Sequence, residues 1–278
     1  MILVMFALLV LFIILGIPVA FSIGLTSLIT MFILHIQHLL PSCINQMYAQ
    51  TVSYPLLAIP FFILAGTLMN TGGMTDKVFR FARCLVGYFP GGLAHVNVVS
   101  SMLFAGMSGS AVADAAGLGK VEIKAMNDAG YDPHFTAGIT AASSTIGPVI
   151  PPSIPFVIYG SLTGVSVGKL FLGGCLPGVG MGIALMIAAY FISRKRNFPR
   201  DQFPPLNVLL ISGVTALPAL GTPFIIIFGI VVGIFTPTEA SVVACVYSLM
   251  VGILTRGITF SNIGPIFFES FVQTTCII

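Results

Sequence analysis

Two short runs bring hydroxyl side chains together with glycine and proline in an otherwise apolar chain. The first is Ser108-Gly109-Ser110. The second is Ser143-Ser144-Thr145-Ile146-Gly147-Pro148-Val149-Ile150-Pro151-Pro152-Ser153-Ile154-Pro155, which holds four prolines and one glycine. Proline lacks the backbone donor that a helix needs, so the second run cannot be continuous helix. Where a helix stops, its N-terminal amides attract carboxylates and its C-terminal carbonyls coordinate cations. Ser108, Ser110, Ser143, Ser144 and Thr145 add hydroxyl oxygens, the ligand type that hard cations such as Na⁺ prefer. The chemistry these residues suit is oxygen coordination of a small cation beside a carboxylate anion.

Each element has a plainer reading. Ser108, Gly109 and Ser110 could serve close helix packing. Asp114 either faces cytoplasmic water or is a buried, functional acid. The proline-rich run could be a kink, but a kink needs only one proline. Thr236-Pro237-Thr238-Glu239 reads as a capping box that starts a helix. Gly106-Met107-Ser108-Gly109-Ser110 could suggest a serine protease, which would need a basic partner, and no His or Lys is expected in a helix interior. His35, His38, His95 and His134 lie apart, and the five cysteines are scattered singly, so neither a metal site nor a disulfide framework is read. Nucleotide-binding and hydrolase motifs are absent, and no enzyme activity is expected.

These residues need a framework, and composition decides its class. Of 278 residues, 57% are hydrophobic and 7% charged, mean hydropathy is +1.08, and no charged residue precedes Asp76. Soluble domains carry about 25% charge. A net charge of +3 leaves no electrostatic case for nucleic acid. The lipid bilayer is the expected environment, and an all-α polytopic membrane protein the expected fold.

A crossing takes about 20 apolar residues, and basic residues mark the cytoplasmic side. The clusters Lys77, Arg80, Arg83; Lys120, Lys124; and Arg194, Lys195, Arg196, Arg200, with Arg256, are placed inside, leaving Lys169 outside. Residues 1–40 hold two short crossings divided near Gly16-Ile17-Pro18, and a third runs from about Tyr54 to Asn70, which puts the N-terminus outside. After Thr75 an interfacial helix is expected. Residues 84–119 carry no charge but Asp114 and are flanked by basic clusters on both sides, so they form a re-entrant hairpin turning at Ser108-Gly109-Ser110. Asp132-Pro133 opens a crossing that the proline-rich run splits into two half-helices, and Leu170 to Ile192 crosses back. One further helix rises to about Phe235, another descends from Thr236 towards Arg256, and the apolar run from about Ile266 is too short to complete a crossing. The divisions are thus 1–75, three crossings; 76–192, interfacial arm, hairpin, broken helix and following crossing; 193–204, basic cytoplasmic linker; and 205–278.

The sequence resembles the large membrane subunit (M subunit, DctM-like) of tripartite ATP-independent periplasmic (TRAP) transporters. The resemblance is carried by Leu57-Ala58-Ile59-Pro60-Phe61-Phe62-Ile63-Leu64-Ala65-Gly66, Gly91-Gly92-Leu93-Ala94-His95-Val96-Asn97-Val98 and Ser108-Gly109-Ser110-Ala111-Val112-Ala113-Asp114-Ala115. It continues through Gly130-Tyr131-Asp132-Pro133, the proline-rich run and Gly233-Ile234-Phe235-Thr236-Pro237-Thr238-Glu239-Ala240. It implies an elevator-type ion-transporter fold in the bacterial inner membrane, with a periplasmic N-terminus. It also implies two partners, a small membrane subunit (Q, DctQ-like) and a periplasmic substrate-binding protein (P, DctP-like). The implied function is Na⁺-coupled import of small organic acids of the C4-dicarboxylate or sialic acid type, with Na⁺ as coupling ion and no other cofactor.

By the same resemblance a cation is held by Ser108, Gly109 and Ser110 together with Gly147, Val149 and Pro151. The adjoining Ser143, Ser144, Thr145, Pro152 and Ser153 are the candidates for binding substrate, and Asp114 is left open. Family members usually continue into an inverted second repeat, which is expected to be incomplete here, as in a truncated gene product. The alternatives are a single-component ion-coupled anion permease and a fragment that does not transport.

Overall fold

The computed structural model describes residues 2–277, which fold into helices joined by turns, with no strand among them. They form two compact units that divide between Val52 and Ser53. In the first unit α1 (Ile2–Ile14) and α2 (Val19–Ile33) are separated at Gly16-Ile17-Pro18, where the sequence places the break. The polar side chains of α2 satisfy themselves locally: Thr30 Oγ1 donates to the Thr26 carbonyl at 2.7 Å. An additional helix, α3 (Leu40–Thr51), occupies what reads as a connection. Its Asn45 and Gln46 sit side by side in the middle of the segment, so local hydropathy does not single it out as a crossing.

The second unit is built around α4 (Ala58–Thr71), which a short 3₁₀ turn at Tyr54–Leu57 precedes. Ala58, Ile59, Phe62 and Met69 are wholly buried. The interfacial helix expected after Thr75 is α5 (Met74–Val86). It buries Met74, Val78, Phe79 and Ala82 on one face, while Arg80 on the other is exposed.

The hairpin consists of α6 (Gly92–Ser108), a turn at Gly109-Ser110, and the short α7 (Ala111–Ala116), continued by α8 (Leu118–Asp128). The broken crossing is α9 (Pro133–Ser144) and α10 (Ile154–Thr163), with residues 145–153 outside helix. Neither half reaches the length of about 20 residues that a span requires.

By length and composition, four helical stretches suit a bilayer crossing: 37–71, in which α3 and α4 follow one another in the chain, and the single helices α11 (Val167–Arg196), α12 (Leu206–Val231) and α13 (Pro237–Leu254). Pro177, Pro218 and Pro223 lie inside α11 and α12 without ending them. The expected boundaries shift by a few residues. The run that reads as too short from Ile266 belongs to α14, which starts earlier, at Phe260, and has 18 residues. At the start of α13 both bonds of the capping box form. The Glu239 carboxylate accepts from the Thr236 amide at 2.8 Å, and Thr236 Oγ1 accepts from the Glu239 amide at 3.3 Å.

Two ion pairs tie elements together near the basic linker. Arg83 on α5 pairs with Asp201 at 2.6 Å, and Arg196 at the end of α11 pairs with Asp132, the N-cap of α9, at 2.7 Å. In the same region Tyr131 donates to the Pro199 carbonyl at 3.0 Å and stacks on Phe198. The fold is that of an all-α, multi-pass membrane protein.

Candidate functional site

The hairpin tip and the helix break adjoin. Gly109 ends α6 with a positive φ, a left-handed conformation that glycine adopts without strain. Its amide bonds the Ala105 carbonyl at 3.2 Å, and its carbonyl accepts from the amide of Ile154, the first residue of α10, at 3.4 Å. A Cβ added at Gly109 would fall on the Pro152 carbonyl oxygen. Gly66 of α4 lets the tip approach from the other side: a Cβ there would lie 3.2 Å from the Ser108 Cα.

Gly147 packs against the Ser110 backbone, with an added Cβ 3.2 Å from its carbonyl carbon and oxygen, and the Pro151 carbonyl lies beside Gly106 of α6. The Val149 carbonyl lies against Gly174 of α11. Thus Gly109, Ser110, Gly147, Pro151 and Pro152 come together, and Val149 faces a different neighbour. Among the described residues no backbone amide outside the helices donates to the carbonyls of Gly147, Val149, Pro151 or Pro152. Such carbonyls are the ligands a discontinuous helix offers to a cation.

The hydroxyl groups divide by role. Ser110 Oγ accepts from the Ala113 amide at 3.4 Å, and Ser153 Oγ accepts from the Phe156 amide at 3.2 Å, each capping the helix that follows. Ser153 also donates to the Pro148 carbonyl at 2.5 Å and so closes the break on itself. Thr145 donates to the Ala142 carbonyl at 2.7 Å and Ser144 to that of Thr140 at 2.8 Å. Ser143 joins a buried network with Asn97, whose Oδ1 accepts from it at 2.7 Å and whose Nδ2 donates to Thr140 Oγ1 at 2.7 Å. Ser108 alone among these is buried with no hydrogen-bond partner for its Oγ.

A cavity of about 130 Å³ lies beside the tip, lined by Ser108 and Ser110, by Thr67 and Asn70 of α4, and by Glu269 and Gln273 of α14. It has room for several waters or a small polar ligand. Thr67, Asn70, Glu269 and Gln273 are not among the residues read from sequence. Asn70 reads there only as the end of a crossing, and Glu269 and Gln273 fall within the apolar run from about Ile266 without being singled out.

Asp114, left open by the sequence, is buried at 1% exposure and does not face water. Glu122 of α8 is equally buried, and sequence reasoning misses it. The signal is present, since Leu118, Glu122 and Met126 repeat every four residues on the inward face, the spacing that stacks side chains on one side of a helix. Lys120 and Lys124 on either side nevertheless make the segment look like a solvated surface. His95 corrects another expectation, being 5% exposed inside α6. It sits near the opposite end of that helix from Ser108, several turns away, so it cannot act as the base of a serine nucleophile.

A family model described as the tripartite ATP-independent periplasmic transporter, DctM component, matches residues 6–278. The chain is 47% identical over 237 residues to the sialic acid TRAP transporter permease protein SiaT of Haemophilus influenzae, covering 85% of this chain and 38% of that protein. It is 47% identical over 244 residues to the sialic acid TRAP transporter large permease protein SiaM of Vibrio cholerae, covering 85% and 55%. To the C4-dicarboxylate TRAP transporter large permease protein DctM of the same organism it is 44% identical over 239 residues, covering 86% and 52%. The chain therefore spans from about two fifths to just over half the length of these relatives. A tip and a break that meet across unpaired carbonyls, in a sequence matched almost from end to end, place the chain in the DctM family of TRAP transporter permeases.

Proposed function

We propose that the chain acts in Na⁺-coupled import of small organic acids, of the C4-dicarboxylate or sialic acid type, as the large subunit of a tripartite carrier. Its partners in that reading are a small membrane subunit and a periplasmic substrate-binding protein. Its place is the bacterial inner membrane, with the N-terminus on the periplasmic side. The observation that carries the reading is the contact between the Gly109 carbonyl and the Ile154 amide, which brings the carbonyl end of α6 to the amide end of α10.

The two ends have opposite partial charge. Na⁺ is held on the carbonyl side, by Ser108, Gly109, Ser110, Gly147 and Pro151, with Val149 completing the set when its carbonyl turns from α11. The acid lies at the amide end of α10, near Pro152 and Ser153, with Ser143, Ser144 and Thr145 at the facing end of α9 as its further candidates. Bound Na⁺ screens the carbonyls from the carboxylate, so each ligand improves the site for the other. In an elevator movement the tip and break travel as one body, which their mutual contact favours.

The test is uptake of labelled acid into vesicles holding this chain in its complete transporter, measured against Na⁺ concentration. Ser108→Ala and Ser110→Ala are expected to raise the Na⁺ concentration needed for half-maximal uptake. An unchanged Na⁺ dependence in both variants rejects the site, and uptake without any binding protein rejects the tripartite reading.

A further inference from the structure

Away from the tip and the break, the second unit has a groove of about 520 Å³ between α5 and the first half of α12, and its two walls differ in chemistry. The α5 wall presents Arg80 and Arg83, and the α12 wall presents Val208, Ile211, Ser212 and Thr215. The two helices touch beside it where Phe81 meets Gly213, an added Cβ there lying 3.5 Å from the ring.

The basic wall is built rather than incidental. Arg80 and Arg83 are both exposed and stand one turn apart on the same side of α5. Asp201 of the linker accepts from Arg83 Nε at 2.6 Å and from Arg83 Nη2 at 3.0 Å, and its own amide donates to the Gly87 carbonyl at 3.0 Å. The Arg83 fork is thereby held in place with Nη1 left to donate elsewhere. Arg80 has no ion-pair partner among the described residues, whose two pairs are Arg83–Asp201 and Arg196–Asp132. Arg80, Arg83 and Asp201 together leave the groove one net positive charge. The first turn of α12 reaches the groove at Val208, and its N-cap, Pro205, makes no side-chain cap. Its positive end adds to the attraction for an anion.

The other wall suits a hydrocarbon chain. Val208, Ile211 and Thr215 follow one another at spacings of three and four, which lines them up along one side of α12. The stripe is roughly 10 Å long at the rise of an α-helix. Ser212 Oγ donates to the Leu209 carbonyl at 2.9 Å and Thr215 Oγ1 to that of Ile211 at 3.0 Å, so both hydroxyl protons are used within the helix. Val208 is 43% exposed and Ile211 63%, so the stripe is open to an occupant.

The amphipathic α5, with its arginines opposite a buried apolar face, has the pattern of a helix lying in a bilayer surface, and α12 has the length and composition of a span. A groove shared by the two runs from the level of lipid headgroups into the hydrocarbon. We propose that it binds one anionic phospholipid of the phosphatidylglycerol class, with the phosphodiester at Arg80 and Arg83 and an acyl chain along Val208, Ile211 and Thr215. One phosphodiester charge cancels the one net positive charge of the groove. An ethanolamine headgroup brings an ammonium towards two guanidinium groups, and the carboxylate that could receive it is already held by Arg83. The site makes no use of Na⁺ or of the transported acid.

The experiment is native mass spectrometry of the purified, delipidated chain, titrated separately with phosphatidylglycerol, phosphatidylethanolamine and soluble glycerol phosphate. One phosphatidylglycerol is expected to bind, roughly fivefold tighter than phosphatidylethanolamine, and Arg80→Gln to remove that preference, as one arginine facing an anionic headgroup predicts. Ile211→Trp fills the apolar wall and is expected to weaken both lipids. Arg200→Gln, an exposed basic residue outside the groove, is expected to leave binding unchanged. Equal affinity for the two lipids overturns the proposal, as does an equal loss in Arg80→Gln and Arg200→Gln, which means general surface charge. Glycerol phosphate binding as tightly as the lipid assigns the groove to a free phosphate ester and overturns it too. Release of the small membrane subunit from the complete transporter by Arg80→Gln, with lipid binding unchanged, assigns the groove to a protein and overturns the lipid reading. If Ile211→Trp does not fold, the headgroup preference and its loss in Arg80→Gln decide.

Discussion

Substituting Gly109 by alanine tests the geometry on which the proposed site rests. The residue has a positive φ, and an L side chain held there costs about 1–2 kcal/mol. The added Cβ also falls on the Pro152 carbonyl, so the tip must move away from the break and stretch the bond from the Ile154 amide to the Gly109 carbonyl. A hydrogen bond of that kind contributes about 0.5–1.5 kcal/mol. Together the two effects come to about 1.5–3.5 kcal/mol, or roughly 10- to 300-fold in the population of the closed tip.

Chemical unfolding of the purified protein in detergent reads the stability change, and the Na⁺ concentration giving half-maximal protection reads the geometry of the site. Gly138→Ala on α9 is the control, because open space surrounds that position. Alanine in a helix gains up to about 1 kcal/mol over glycine. Both stability and Na⁺ affinity are expected to fall in Gly109→Ala. Lowered stability with unchanged Na⁺ affinity refutes the claim that the closed tip holds the ion.

Two further outcomes concern the supports of the site. Asn97→Ala leaves Thr140 Oγ1 without a partner and takes one of its partners from Ser143 in a buried seam, and is expected to cost about 1–3 kcal/mol in chemical unfolding. Ser100→Ala, whose hydroxyl has no partner, is expected to cost far less. The His134 amide, followed by Arg196, holds the Asp132 carboxyl below its ordinary value of 3.8. A carboxylate with a depressed folded value contributes stability above its unfolded value and loses it as pH falls through the folded one. Asp132→Asn is therefore expected to lower stability modestly at neutral pH and to flatten the acid side of a stability profile below about pH 4, where variant and unaltered chain converge.

Charge and proline placement make the backbone plan legible before any coordinates. A stretch free of Lys and Arg between two basic clusters returns to the side it came from, and four prolines in one short run interrupt a helix. Hence the hairpin, the break and the amphipathic α5 are all readable. What is not readable is which side chains the folded helices turn inward. Ser143 and Asn97 are far apart in the chain and meet only because α6 and α9 pack together. Glu122 is hidden by its flanking lysines, since a charged residue between two others usually marks a solvated face. Asn70 and Gln273 enter the cavity wall through packing of α4 with α14, a contact between distant segments that no local pattern encodes.

The tip and the break are expected to behave as one energetic unit, and this can be measured apart from transport. Ser153 caps α10 and binds the Pro148 carbonyl, so it sets where the Ile154 amide points. Gly109 supplies the carbonyl that receives that amide. Ser153→Ala alone removes a cap and is expected to cost about 1 kcal/mol. Once the cap is gone, α10 frays at the residue the tip needs, so much of the loss in Gly109→Ala has already occurred. The double variant should therefore fall short of the summed single effects by at least about 0.5 kcal/mol. Ser166 caps α11 through the Lys169 amide at 3.5 Å and shares no partner with Gly109. Its alanine variant should combine additively with Gly109→Ala. Equal additivity for Ser153 and Ser166 means that the tip and the break only lie side by side, and that an ion bound at one has no mechanical hold on the other.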